Sequence, residues 1–226
     1  MRLQTAALLV MLVILLEFVI RLGGTLWPAL FTDPFPVLCS LSLSLLGDLA
    51  LLTFFSLFRT TTHCANSPRL QLATSLAAAG AVVGLLVPLK ALLFHARAFV
   101  FLPLLLTRGL ELLAPPLAII SLLFFLVTFL QEADTRGNRK LALGIRYGLT
   151  GAGLLLFLHL LVILNFVIHY YFSRLSQVSH MVALVTLPLV TAGTFSLFYF
   201  FLVVWRAEDE AERALESVIQ TTKETT

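Results

Sequence analysis

The sequence predicts an all-α polytopic membrane protein, with six transmembrane helices and a short outer-leaflet interfacial or re-entrant helix. Three observations predict it. The chain of 226 residues is 59% apolar and 12% charged, with a mean hydropathy of +1.00, which is more hydrophobic surface than a soluble domain of this size can hide. Six apolar runs each have the roughly twenty residues needed to cross about 30 Å of hydrocarbon at 1.5 Å per residue. Between the fourth and fifth runs a basic loop carries Arg136, Arg139, Lys140 and Arg146, the pattern of a cytoplasmic connection. Inside hydrocarbon such runs must be helices, since open strand edges would leave backbone polar groups unsatisfied.

The first span, Ala6 to Leu26, reads as an uncleaved helix. It is longer than the apolar core of a signal peptide, Glu17 and Arg21 interrupt it, and no small-residue cleavage site precedes Trp27. The second, Val37 to Leu57, carries Ser40, Ser44 and Asp48 at i, i+4 and i+8 beside Gly47, so one face is polar and should point into the bundle. Cys39 and Cys64 flank this span on opposite sides of the membrane, well beyond disulfide reach, and no disulfide is expected. The third span, Leu70 to Leu89, holds Gly80 and Gly84 in a GxxxG pattern that suits close helix contact.

Ala91 to Thr107 is apolar but short, and it contains His95 and Arg97. As a seventh span it would bury Arg97 at a cost of roughly 2.5–3.5 kcal/mol, so an interfacial or re-entrant helix is expected instead. The fourth span, Leu110 to Leu130, includes Pro115 and Pro116, and the sixth, Val182 to Val204, includes Pro188; each should bend its helix or free carbonyls. The fifth, Tyr147 to Ile168, places His159 on the face shared with Gly148, Ala152 and Leu155.

Residues 1–205 thus form the transmembrane bundle and 206–226 an acidic amphipathic tail. Ala207, Ala211, Leu215 and Val218 fall at helical spacing, and Asp209 and Arg213 can pair at i, i+4. This tail is expected to be solvated and to fray after Ile219, with docking onto a protein partner as the alternative. Counting Lys and Arg places Arg2, Arg59, Arg69, Arg136, Arg139, Lys140, Arg146, Arg206, Arg213 and Lys223 on one side. Arg21, Lys90, Arg97, Arg108 and Arg174 fall on the other. The excess puts both termini in the cytoplasm, as in a multi-pass protein of a bacterial inner membrane. The net charge of +3 is spread between apolar runs rather than gathered on one basic face, so no nucleic-acid partner is expected.

Ionisable side chains within hydrocarbon carry the functional information, because each costs several kcal/mol unless paired or facing a polar cavity. Asp48, Glu17 and His159 fall near the middle of their spans and are the transport or proton-relay candidates. Beside each stands a plainer role: a neutral hydrogen-bonded packing residue for Asp48, an ion pair with Arg21 for Glu17, and a hydrogen-bonded structural histidine for His159. A second constellation, Lys90, His95, Arg97 and Arg108 with Glu111 beside it, could hold a lipid headgroup phosphate or an anionic solute; otherwise these are snorkelling anchors.

No cofactor or metal is expected. Haem ligation by His159 would want a second mid-depth histidine, and His63, His95, His169 and His180 all lie near interfaces; His169 with His180 is the remaining haem or metal possibility. No GxSxG, HExxH, phosphate-binding loop or nucleophile with a neighbouring base occurs. The pattern therefore favours transport of a small solute or lipid, alone or as a subunit of a complex. A membrane anchor or a lipid-modifying enzyme are the competing classes.

Overall fold

Six long helices follow from six apolar runs. The structure, a computed structural model, describes residues 2–26, 34–95, 104–171 and 176–224. The long helices are α1 (Leu3–Leu26), α2 (Pro34–Phe58), α4 (Pro68–His95), α5 (Leu104–Thr135), α6 (Arg139–Tyr171) and α7 (Ser176–Glu224); α3 (Thr62–Ala65) is a single turn. Each long helix contains a stretch with the length and composition to cross a bilayer: Leu3–Gly24, Leu38–Phe58, Pro68–Leu93, Leu112–Thr135, Arg139–Asn165 and Val185–Ala211. The protein is an all-α, multi-pass membrane bundle. Its outward faces carry exposed Leu8, Leu12, Leu15 and Val19 on α1 and Leu113, Leu117, Ile120 and Phe124 on α5, surfaces that suit lipid rather than water.

Three boundaries differ from the sequence expectation. α6 begins at Arg139, so Arg139, Lys140 and Arg146 lie on its first turns and the basic connection shrinks to Arg136–Asn138. The local chemistry explains the short turn. Gly137 takes a left-handed φ of 69° directly after α5, its N–H bonds Asp134 O, and the Asn138 N–H bonds Ala133 O, which together close the end of α5. Asn138 then accepts the Leu141 N–H on Oδ1 at 3.1 Å, so one residue ends α5 and caps α6.

The expected interfacial helix is the second difference. Ala91 to His95 continue α4 and Leu104 to Thr107 open α5, while residues 96–103 lie outside the described residues. Third, α7 carries on unbroken past Trp205 and Ile219 to Glu224, since its Glu, Ala, Arg and Leu residues favour helix. Its 49 residues reach about 73 Å, so its end projects well beyond the hydrocarbon. The expected Asp209–Arg213 pair forms at 2.8 Å on this extension. Pro115, Pro116 and Pro188 all sit inside continuous helices.

Packing follows the chain. α1 packs on α2, α2 on α4, α4 on α5, α5 on α6, α6 on α7, and α7 returns to α1, which closes a ring of six helices. Consecutive helices alternate in direction, so the start of α1, the α5–α6 turn and the extension of α7 share one end, here called the basic end.

Near the basic end the lumen of the ring is filled by phenylalanine. Phe54, Phe58, Phe125, Phe129, Phe200 and Phe201 are fully buried. Ring contacts cross from α2 to α7 (Phe54–Phe201, 5.1 Å) and from α2 to α5 (Phe55–Phe125, 5.1 Å; Phe58–Phe129, 5.0 Å). Edge-to-face geometry at these separations adds about 0.5–1.5 kcal/mol per pair beyond area burial. Among the described residues, the last buried side chain on α1 is Val13 and the first on α2 is Ala50. Beyond that level, toward the far end, the described side chains of both helices are half-buried or exposed.

Small residues set the helix separations. A Cβ on Gly80 would fall among Ser121 and Ala118 of α5, and one on Gly144 would stand 2.7 Å from Val203. Gly151, outside the Gly80–Gly84 pattern, meets backbone: a Cβ there would lie 2.7 Å from the carbonyl oxygen of Gly193 on α7. Both cysteines are free, Cys39 half-buried and Cys64 buried against Thr74, 3.7 Å from its Oγ1.

Candidate functional site

The junction of α1, α2 and α4 gathers two of the three mid-span ionisable residues. On α2 the spacing of Ser40, Ser44 and Asp48 gives one polar stripe, and all three are half-buried. The Asp48 carboxylate lies directly over Gly84 of α4: a Cβ there would stand 2.9 Å from Oδ1, 3.2 Å from Cγ and 3.4 Å from Oδ2. Gly84 is therefore the seat of the carboxylate, a place where only a hydrogen leaves it room.

Glu17 reaches the same place from α1. Val13 Cγ1 packs 3.1 Å from the position of a Cβ on Gly47, which sets the register of the two helices. Glu17 stands one turn, about 6 Å, farther toward the far end than Val13. Side chains on a helix lean toward its N-terminus. α1 starts at the basic end and α2 at the far end, so Glu17 leans back toward Val13 while Asp48 leans forward to meet it. Sequence alone leaves this pairing open, because helix rotation decides it.

The remaining candidates lie elsewhere. His159 sits on α6, which packs on α5 and α7 and is opposite α2 in the ring. It is half-buried, and its Nδ1 is 2.8 Å from Leu155 O on the same helix. A carbonyl can only accept, so Nδ1 carries a proton and the ring is tied to its own backbone. The structure does not bring His159 to the acid pair. Lys90 stands on α4 a turn and a half beyond Gly84 and is half-buried. His95 ends α4 and Arg108 lies in α5; their side chains, and all of Arg97, fall outside the described residues, as do the side chains of Arg21, Glu111, His63, His169 and His180. Among the described residues, no three His, Cys, Asp or Glu side chains come together as a metal site.

Two features of this region are not identified by sequence reasoning. One is the role of Gly84, whose only signal is its place in a GxxxG pair. The other is the phenylalanine cluster just below the acids. Comparison with known proteins supplies no precedent: no family model, no curated protein and no solved structure matches the chain.

Two carboxylates brought near each other in a bundle of low polarity favour the uptake of a proton or a cation. The hydroxyls of Ser40 and Ser44 add oxygen donors along the same stripe. Such a set can exchange a proton or hold a hard monovalent cation.

Proposed function

We propose that this protein is an integral membrane transporter that moves a small solute or lipid through a mid-membrane polar site built on Asp48 and Glu17. The observation that carries the reading is the position of the acid pair. In this reading it lies where the phenylalanine-packed half of the ring meets a half in which, among the described residues, α1 and α2 bury no side chain fully. A site of exchangeable charge at such a boundary can be reached from one face while the other is closed, which is what alternating access requires. In this reading a proton or a monovalent cation binds between the carboxylates and its release is coupled to solute movement. His159 takes no part. Both termini face the cytoplasm of a bacterial inner membrane, in line with the excess of Lys and Arg at the basic end.

The test is cation- and proton-dependent stability of the purified protein in nanodiscs. A ligand that binds only the folded state stabilises by about 2.7 kcal/mol at a hundredfold excess over its dissociation constant. Thermal unfolding is followed against Na+, K+ and pH for the wild type, Asp48→Asn and Glu17→Gln. The expected result is a shift with one of these cations in the wild type that either substitution abolishes. A wild type whose unfolding responds to cations and pH no differently from Asp48→Asn would overturn the proposal.

A further inference from the structure

A cavity of about 480 Å³ opens at the basic end of the bundle, lined by Asp134, Gly137, Arg139, Ala142, Leu143 and Arg146. It lies where α5 turns into α6, far from the acid pair, and is built by the same capping chemistry that ends one helix and starts the next. Four cations and two acids meet in this turn. Arg136 is committed, with Nη2 at 2.7 Å and Nε at 3.1 Å from Glu132 Oε1. Arg146 is held loosely by Asp134, at 3.9 Å, with both side chains more than half exposed. Arg139 and Lys140 have no acidic partner among the described residues, and both are exposed.

Position on the helix decides what such a pocket suits. Arg139, Leu143, Arg146, Tyr147 and Thr150 recur at three and four residues and form the outward stripe of α6, opposite the buried Leu141, Ile145 and Ala152. Leu143 and Tyr147 are about half exposed, and Tyr147 stacks edge-on with Tyr199 of α7 at 4.9 Å. Arg146 starts about 10 Å deeper than Arg139. Its long side chain can reach back toward the basic end, and both arginines line the same cavity.

We propose that this cavity binds the phosphate of an anionic phospholipid, with Arg139 and Arg146 on the headgroup and one acyl chain along Leu143 and Tyr147. Guanidinium forks match phosphate oxygens, and basic pockets between helices at the membrane surface take such headgroups. Asp134 is the gatekeeping counter-charge: phosphate displaces it from Arg146. The lipid, rather than a soluble anion, is the occupant because exposed Leu143 between the cations and exposed Tyr147 and Phe157 beyond them on the same face suit hydrocarbon.

The experiment is native mass spectrometry and thermal unfolding of the full chain with phosphatidylglycerol, phosphatidylcholine or inorganic phosphate added to detergent-solubilised protein. Retention of phosphatidylglycerol and stabilisation by it, beyond the other two, are expected. Arg139→Gln and Arg146→Gln should each weaken that binding about fivefold, the equivalent of about 1 kcal/mol per cation. Asp134→Asn, which keeps all four cations, should strengthen it. Arg69→Gln makes the same charge change on α4 and should leave binding unaltered. Equal losses from Arg69→Gln and Arg139→Gln would overturn the site in favour of diffuse attraction. Stabilisation by inorganic phosphate equal to that by the lipid would overturn the lipid assignment.

Discussion

Replacing Gly84 with alanine separates the placement of Asp48 from the stability of the bundle. The new Cβ would stand 2.9 Å from Asp48 Oδ1 and 3.2 Å from Cγ, about 0.5 Å inside ordinary contact. What must move is the free end of a short side chain, not a helix. Pushing the carboxylate off its rotamer costs about 0.5–1.5 kcal/mol, and alanine returns about 1 kcal/mol of helix propensity over glycine. The net change in stability should therefore be within about 1 kcal/mol of zero. Gly151→Ala is the contrast. Its Cβ would lie 2.7 Å from Gly193 O and 3.0 Å from Leu197 N, both backbone atoms of α7, so α6 and α7 must part. Overpacking of that kind costs about 1–3 kcal/mol, and in a chain of this size each kcal/mol corresponds to about 2–4 °C in melting temperature. Both variants are unfolded thermally in the same nanodiscs, with and without the stabilising cation. Gly84→Ala should melt close to the wild type and lose the cation shift, whereas Gly151→Ala should melt lower and keep it. If Gly84→Ala were as destabilised as Gly151→Ala, or kept the full cation shift, the seat assigned to Asp48 would be refuted.

Phe54→Ala removes a fully buried ring that touches Phe55, Phe58 and Phe201, and should cost about 3–5 kcal/mol in thermal unfolding. His159→Phe removes one bond to its own helix and should change stability by about 0.5–1.5 kcal/mol, with the cation response of the wild type retained.

Much of this architecture is legible in the sequence because a bilayer leaves few choices. Twenty apolar residues in a row must form a helix there, and the serine–serine–aspartate spacing on α2 already marks its inward face. Other features depend on rotation about helix axes, which composition does not encode. Nothing local says that Glu17 leans toward Asp48 while His159 bonds its own backbone. Gly151 and Gly193 bring α6 and α7 into close backbone contact without a shared motif, because they lie on different helices. The phenylalanines of α2, α5 and α7 look like any lipid-facing apolar residues until the ring closes and puts them in its lumen. The start of α6 at Arg139 was obscured for a related reason: its cations read as loop, although lysine and arginine are good helix formers and Asn138 supplies the cap.

One-sided access to the acid pair is tested most directly by cysteine labelling along α2. In a background with Cys39→Ala and Cys64→Ala, Ser44→Cys and Ala50→Cys place single thiols six residues, about 9 Å, apart, one on each side of Asp48. A membrane-impermeant maleimide is applied to either face of oriented vesicles. Ser44→Cys should label only from the face opposite the termini, and Ala50→Cys, set in the packed half beside the phenylalanines, from neither. Labelling of Ser44→Cys from the basic side, or from no side at all, would contradict a polar site open to one face and closed to the other.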